Sequence, residues 1–386
     1  MSSERSNLND QQGVGWRGLV VEGLHHSGIL RVLERMTRSW ELDKRGGVWP
    51  RLVRASIPRI AIFCYHRIGV GGIPLYSELP PAEFEAQMSH LRKHYRIISL
   101  DQVVSEIADP VTSEPSVAVT FDDGYRGLFT EAFPILQAYQ IPATIYLTIA
   151  PIETGQVAWY DRIFFAMSIA SGDSLELALD GPRRFSLSST PARMRAAVEI
   201  ISWLRGCTPA RRKEFCAILE NKVPLPHVEL QDRMLTWDQV HTMHLAGISF
   251  GAHTMTHPVV SRLSPSELEW EILESKRILE KKLDSPVHHF AFPFGKRDEC
   301  GDAASYVLMR GGYKSAVTTE SGLNSVSTDP LRMRRFSIDE SASLAMFAAQ
   351  LNRCFLNHDL AEISSSLPAS DSKRPTKQAE VQPVNR

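Results

Sequence analysis

Two adjacent carboxylates, Asp122 and Asp123, are the residues of this sequence best suited to chemistry. They stand in the stretch VTFDDGY (119–125), at the end of the apolar run SVAVTF, which predicts a buried strand. Carboxylates are rarely buried without a partner, and successive side chains of a strand point to opposite faces. A pair of acids at the tip of a strand, followed by a glycine turn, therefore indicates a functional site.

Two histidines follow another predicted strand, ISFG, where the stretch AHTMTH places His253 and His257 four residues apart. Neutral imidazole is the commonest metal ligand, and two imidazoles with one carboxylate leave open positions on a divalent ion. In parallel sheets, sites gather at the carboxyl ends of the strands. The two motifs together therefore favour a metal site over a purely structural explanation.

Short β-branched or aromatic runs alternate with helical patterns from about residue 58, which is typical of α/β units. The longest helical pattern runs from about Ser264 to Leu283, and Ser264 with Glu267 has the spacing of a capping box. We therefore expect one α/β domain over residues 58–340. Its other strands are predicted at 59–65, 96–100, 143–149, 247–253, 288–295 and 313–319, and its other helices over 81–95 and 127–140.

The character of the sequence changes over residues 155–235. This stretch holds two basic helical segments, 191–205 and 209–221, and no obvious run of buried strands. These patterns predict a largely helical insertion that lies across the main domain.

The two ends of the chain are predicted to lie outside that domain. Residues 1–57 form an N-terminal extension, and residues 341–364 form a C-terminal helix. The last stretch, 365–386, has the polar, proline-containing composition of a disordered tail.

Composition excludes several classes of protein. Lys and Arg number 43 against 44 Asp and Glu, so no net charge draws the chain to nucleic acid or to an anionic membrane. The five cysteines are scattered without a C-x-x-C pair, which argues against a disulfide framework and a thiolate zinc site. The polar N-terminus is not a secretory signal, and no apolar stretch is long enough to span a bilayer.

The stretches VTFDDGY and GAHTMTH together resemble the two leading motifs of the polysaccharide deacetylases, the NodB-homology group or carbohydrate esterase family 4. Weaker matches, IPATIYL, SKRILEKKL and FAFPFG, follow in the expected order, and the resemblance covers residues 59–340 apart from the insertion. It implies a distorted (β/α) barrel of the NodB-homology type with one divalent metal ion at its mouth. Zinc is the expected ion, although the same ligands also suit cobalt, nickel or iron.

The resemblance assigns different roles to the two acids. It implies that Asp122 is the catalytic base, while Asp123, His253 and His257 hold the metal. The ion lowers the pKa of bound water so that a nearby carboxylate can deprotonate it. A carboxylate that ligated the ion directly would be less available for that proton, which is a reason for having two.

Further residues are implied to contact the substrate or the oxyanion. The backbone N–H near Phe294 and Gly295, in the third motif, is expected to help stabilise the oxyanion. Tyr125, beside the acidic pair, is a weaker candidate for a substrate contact. Many family members brace the base with an arginine before the proline of the third motif. A phenylalanine stands there in this sequence, so Arg335 or Arg332 is expected to substitute.

The general acid is expected at His66. The family's usual place for this histidine is a leucine-rich motif near the C-terminal end of the domain, where this sequence offers only His358. The stretch FCYHRI puts His66 directly after the strand that precedes the acidic motif. This pattern resembles the circularly permuted exopolysaccharide deacetylases, in which a histidine at this place is the acid. Its neighbours Cys64 and Tyr65 are expected to be packing residues.

Several other aromatic and histidine residues have two readings. Trp159, Tyr160 and Asp161 open the insertion, and these aromatic rings, like Trp237, could stack on sugar rings or serve packing. The pairs His288–His289 and His241–His244 are expected to be structural, because strand alternation separates the first pair and a helix carries the second.

The resemblance implies a metal-dependent hydrolase that removes N-acetyl groups from an amino-sugar polysaccharide or glycan precursor. An O-acetyl esterase or small-amide hydrolase of the same superfamily is an alternative, because all of these use the same attack by metal-activated water. The third possibility is a catalytically silent relative that only binds carbohydrate. A binding module would have no need of a catalytic base, which argues against it. The expected partner is an N-acetylated glycan. The expected location is the cytoplasm or the membrane periphery, in association with polysaccharide assembly machinery.

Overall fold

The computed structural model describes residues 59–70, 75, 77–112, 114–225 and 233–366. The predicted N-terminal extension lies outside these ranges, as does the predicted tail from residue 367 onward.

A curled parallel sheet forms the centre of the structure. All its paired strands run in the same direction, so their carboxyl ends meet at one mouth. In spatial order the strands are β10 (Phe336–Ser337), β1 (Ile60–Tyr65), β3 (Ser116–Phe121), β4 (Ala143–Leu147), β7 (Ser249–Ala252), β8 (His289–Ala291) and β9 (Ser315–Val317), with β2 (Arg96–Ile97) beside the first half of β3.

The segment from Met333 to Ser337 links the last strand of the curl to the first. The Met333 N–H donates to the carbonyl of Ala316 in β9 at 2.9 Å. Three residues later, Phe336 pairs with Phe63 of β1. The sheet therefore has the form of the distorted (β/α) barrel that the sequence predicts.

Alternate residues of the central strands pack on opposite faces of the sheet. Ile62 and Ala118 belong to a cluster shared by five strands and the helix at 100–108, which is the interior of the curl. Phe63 and Val119 pack outward against the surrounding helices. The same alternation directs Asp122 toward the interior, at the carboxyl end of β3.

Helices cover the outside of the curled sheet. The helix predicted over 264–283 is continuous, begins with the Ser264–Glu267 capping box and contains a π-helical turn, Trp270–Glu274. None of the described helices is long and apolar enough to cross a membrane. The main-domain helices are α1 (Pro81–His94), α2 (Leu100–Ala108), α3 (Phe133–Ala138, after the π-helical turn Leu128–Ala132), α4 (Ile149–Thr154), α8 (Trp237–Leu245), α9 (Pro265–Glu269), α10 (Ser275–Leu283), α11 (Arg297–Cys300), α12 (Asp302–Arg310) and α13 (Leu344–Ser366).

The predicted insertion builds a small unit with its own hydrophobic core. Its helices are α5 (Trp159–Ile169), α6 (Thr190–Arg205) and α7 (Pro209–Lys222), and the last two coincide with the predicted segments. The insertion also contains an antiparallel hairpin that the sequence did not predict, β5 (Ser174–Ala178) with β6 (Pro182–Ser186), which lies between α5 and α6. Most of its side chains are at least partly exposed, so no run of buried residues marks it, although its Asp-Gly turn is a known hairpin signal.

Candidate active site

The four residues of the two leading motifs lie together at the mouth of the curl. Asp122 and Asp123 follow β3 directly, and His253 follows β7, two strands along the sheet. His257 returns to the same place through the loop after β7. All four side chains are almost completely buried, so their interactions are only weakly screened by water.

Asp123 and the two histidines have the geometry of a metal-ligand set. The Asp123 Oδ1 atom lies 3.6 Å from His253 Nε2 and 3.5 Å from His257 Nε2. The His253 Nδ1–H donates to the Ala291 carbonyl at 2.7 Å, which leaves the Nε2 lone pair facing Asp123. Ligand atoms at about 2.0–2.2 Å from one tetrahedral ion are separated by about 3.3–3.6 Å. The spacing therefore fits a single divalent ion.

The partners of these atoms support the same interpretation. Asp123 Oδ1 is buried and has no hydrogen-bond partner among the residues that the structure describes. A buried carboxylate oxygen without a partner is costly, and coordination of a cation would satisfy it. Burial lowers the pKa of His257 to about 3, so this imidazole is neutral, which is the form that binds metals.

The backbone that carries the ligands adopts an uncommon conformation. Asp123, Thr254 and His257 have φ values of 73°, 66° and 56°, in the left-handed region that residues other than glycine rarely enter. Such residues cost about 1–3 kcal/mol each and persist only where the surroundings hold them. Their clustering at one site indicates that the ligand positions are fixed by the fold.

Glu271 holds the histidine loop, and the sequence reasoning missed it. Its Oε2 atom accepts hydrogen bonds from the N–H groups of Met255 and Thr256 at 2.8 and 2.9 Å, and its Oε1 accepts from the Thr256 hydroxyl. Glu271 is only 2% exposed and lies in the π-helical turn Trp270–Glu274. In the sequence, its position three residues after Leu268 is typical of the buried face of a helix.

Arg335 binds the predicted base through a two-point fork. Its two terminal nitrogens donate to Oδ1 and Oδ2 of Asp122, both at 2.7 Å, and its Nε donates to the Thr318 carbonyl. Burial alone would raise the pKa of Asp122, but the guanidinium overrides this effect and holds the pKa well below its usual range. Of the two arginines considered from sequence, Arg335 contacts Asp122, whereas Arg332 donates to the Gly301 carbonyl.

Cys64 also contacts Asp122, so its prediction as a packing residue is incomplete. Its thiol lies 3.4 Å from Asp122 Oδ2 and donates to it. Cys64 pairs in register with Thr120, two residues before Asp122, and this register explains the contact. Tyr65 points the other way, and its hydroxyl donates to Gln87 at 2.9 Å, among packing residues.

His66 lies beside the base at the end of β1. One of its ring nitrogens, the Cys64 thiol and an Asp122 oxygen lie within 4.8 Å of one another. Burial lowers the pKa of His66, while the Asp123 and Asp122 carboxylates act in the opposite direction. A lowered pKa works against an acid that must carry its proton, so the assignment of His66 rests on its position.

The third motif forms a tight turn beside the second histidine. The Phe294 ring lies 4.8 Å from the His257 ring, edge to face, and Phe294 has a φ of 59°. Gly295 has a φ of 69°, and a Cβ there would lie 2.8 Å from the Thr319 nitrogen, so this position requires glycine. The Gly295 N–H is used within the turn, where it donates to the Pro293 carbonyl.

The start of the insertion is attached to the site. The Trp159 indole N–H donates to the His257 carbonyl at 3.1 Å. Asp161 is fully buried, pairs with Arg67 and accepts a hydrogen bond from the Tyr125 hydroxyl at 2.8 Å. Tyr125 therefore lies next to the site with its hydroxyl already bonded to two groups. For Trp159, these contacts favour a packing role over stacking on a sugar ring.

The remaining histidines are absent from the two metal-compatible clusters found in the described part of the chain. His289 shares a hydrogen bond with the Ser315 hydroxyl at 2.8 Å, and His241 and His244 lie on α8 as expected. Trp237 donates to Glu153 at 2.6 Å.

A match to a known protein family covers the part of the chain that carries most of this site. The model of the polysaccharide deacetylase family matches residues 109–306, about half of the chain. The matched region contains Asp122, Asp123, His253 and His257, whereas His66 and Arg335 lie outside it. The chain belongs to the polysaccharide deacetylase family, which is consistent with an amide hydrolase.

Individual relatives share the fold over most of the chain. YxkH of Bacillus subtilis (strain 168), which also carries the name polysaccharide deacetylase, is 21% identical over 295 residues, 76% of each protein. The Streptococcus pyogenes deacetylase PplD, solved in complex with acetate, has a TM-score of 0.52 and 21% identity, covering 77% of this chain and 98% of PplD. IcaB from Ammonifex degensii has a TM-score of 0.50 and 17% identity, covering 76% and 96%. At 21% and 17% sequence identity, these solved structures establish the fold of this chain.

Replacing Arg335 should destabilise the protein strongly. Arg335→Met leaves the buried Asp122 carboxylate without its counter-charge, and we expect the free energy of unfolding to fall by about 3–5 kcal/mol. Denaturation in urea measures the change. Arg334→Met, at the exposed neighbouring position, is the matched control and should change stability by less than about 0.5 kcal/mol. Equal stability of the two variants would contradict the importance of the fork.

Removing Glu271 should loosen the metal ligands. Glu271→Ala frees two backbone N–H groups of the histidine loop, and we expect the affinity for zinc to fall about 10- to 100-fold. Competition with a chromogenic chelator measures this affinity. Glu274→Ala is the control, because Glu274 lies in the same π-helical turn and its side chain accepts hydrogen bonds from the exposed Arg277 rather than from the histidine loop. Unchanged zinc affinity in Glu271→Ala would show that the loop holds its shape without this carboxylate.

Proposed function

We propose that this protein is a metal-dependent deacetylase that removes N-acetyl groups from an amino-sugar polysaccharide or a glycan precursor. One observation carries the proposal: the two adjacent acids have different partners. Asp122 is held by Arg335 and lies 3.9 Å from His253 Nε2, whereas Asp123 Oδ1 lies closer to two imidazole nitrogens, at 3.6 and 3.5 Å. A hydrolase that activates water needs this separation of a base from a ligand set.

In this proposal Asp123, His253 and His257 hold a divalent ion. Zinc suits a set of two imidazoles and one carboxylate that leaves coordination positions open. When bound, the ion supplies Lewis acidity, which lowers the pKa of water and polarises the acyl carbonyl. The protein supplies ligand orientation through the Ala291 carbonyl and the Glu271 carboxylate.

Asp122 accepts the proton of the attacking water. The fork from Arg335 keeps this carboxylate ionised and fixes its plane, so it needs no reorientation during the reaction. A carbon–oxygen bond forms at the acetyl carbon, and the carbon–nitrogen bond breaks. His66, within reach of the same carboxylate, gives its proton to the departing amine nitrogen, so that acetate and a free amine result.

The oxyanion that develops on the acyl oxygen needs a hydrogen-bond donor. Among the two residues expected from the third motif, Gly295 uses its N–H within the turn, so we assign the backbone donor to Phe294. Acetate, the expected product here, is the ligand with which the related PplD was solved. This correspondence supports an acetyl group as the group transferred to water.

Release of acetate from N-acetylglucosamine oligomers tests the function. Protein reconstituted with zinc should release acetate, and protein stripped with a chelator should not, because the water is then not activated. Coupled enzymatic detection of acetate measures the rate. No release from protein that holds one zinc ion would contradict the proposed substrate and direct the search to O-acetyl esters or other amides.

A comparison of two substrates in the same experiment tests His66 as the acid. His66→Gln should slow release from the oligomers by about 10²- to 10⁴-fold, because an amine must be protonated as it leaves. The same variant should hydrolyse p-nitrophenyl acetate with a much smaller loss, because p-nitrophenolate leaves without a proton. Equal losses on both substrates would show that His66 has another role.

A further inference from the structure

Tyr160 carries a buried hydroxyl group beside the metal ligands. The residue is 8% exposed, and its hydroxyl makes no hydrogen bond of standard geometry within the described part of the chain, where the Tyr125 hydroxyl lies close to it. Its ring centroid lies 4.8 Å from that of His257. Buried tyrosine hydroxyls usually have a partner, so a donor without a standard hydrogen bond among the described residues is available to a group from outside the protein.

The residues on either side of Tyr160 are attached to the main domain. Trp159 donates to the carbonyl of His257, and Asp161 is bound by Arg67 and Tyr125. All three residues belong to the first turn of α5. Two attachments that flank Tyr160 fix its backbone, so its place next to the ligands is set by the fold.

Tyr160 and the third motif flank the same ligand. The Phe294 ring and the Tyr160 ring each lie 4.8 Å from the His257 ring. The Tyr160 ring therefore packs against the same imidazole as the residue to which the backbone donor is assigned. An oxyanion in a site from which water is excluded gains most from such preorganised donors.

We propose that Tyr160 donates a hydrogen bond to the acyl oxygen of the substrate, which makes the insertion part of the active site. This inference rests on the proposed function, because it requires an acyl group beside the Asp123–His253–His257 set. The hydroxyl binds the carbonyl oxygen and holds it more strongly as negative charge develops there. Tyr160 is then a catalytic residue contributed by the insertion.

The Tyr125 hydroxyl is the protein group that competes for this role. It accepts a hydrogen bond from Arg67 and donates its own proton to Asp161. It therefore has no proton left for Tyr160 and could serve only as a second acceptor. If Tyr160 merely completed that buried network, its loss would change stability and leave ligand binding unaltered.

Acetate binding to zinc-loaded protein tests the inference without turnover. Tyr160→Phe removes only the hydroxyl, and Tyr306→Phe, at a position 61% exposed on α12, is the matched control. We expect Tyr160→Phe to hold the same amount of zinc and to unfold at the same temperature. Its dissociation constant for acetate, measured by titration calorimetry, should rise about tenfold, while the control keeps the wild-type value. With oligomer substrates, kcat should fall about 10- to 100-fold with little change in KM.

The outcomes separate this inference from the proposed function. Acetate binding that depends on Tyr160, in a protein that releases no acetate from oligomers, would support the inference and refute only the proposed substrate. Equal acetate affinity in Tyr160→Phe and wild type would overturn the inference. Loss of zinc or of thermal stability in Tyr160→Phe would overturn it as well, because the hydroxyl would then be structural. Zinc-loaded wild-type protein that binds no acetate would also contradict it.

Discussion

The buried fork between Arg335 and Asp122 is the interaction on which the rest of the site depends. Both side chains are almost completely removed from water, so neither charge could remain there without the other. The fork commits Asp122 to the arginine and leaves its neighbour Asp123 to face the histidines. Two identical residues, adjacent in the sequence, thereby acquire different chemical roles.

The closure of the sheet is what brings this pair together. Arg335 lies in the short segment that links β9 to β1, and Asp122 follows β3, the other neighbour of β1. Cys64 and His66 come from the end of β1 itself, so strands from both ends of the domain surround the base. The proposed metal ligands lie instead on loops that contain residues with left-handed backbone conformation. The Glu271 carboxylate and a hydrogen bond from Trp159 hold the loop that carries the histidines. The proposed base and the proposed metal ligands therefore rest on separate parts of the fold.

The sequence was sufficient for features that depend on local pattern. The acidic pair, the histidine spacing, the capping box at Ser264 and the parallel α/β character all follow from residues close together in the chain. Glu271, the Cys64 thiol and the choice of Arg335 over Arg332 depend on strand order and register, which no local pattern encodes. The hairpin at residues 174–186 was missed for a different reason, because its exposed strands lack the buried run by which strands are recognised. The place of Tyr160 likewise depends on how the insertion docks.

The zinc content of two variants, Asp122→Asn and Asp123→Asn, tests the separation of base and ligand most directly. Elemental analysis of each variant, with folding verified by circular dichroism, measures zinc per chain alongside acetate release. We expect Asp122→Asn to retain about one zinc ion per chain and to lose activity, whereas Asp123→Asn should lose the zinc as well. If Asp122→Asn lost the metal while Asp123→Asn kept it, the roles assigned to the two acids would be wrong.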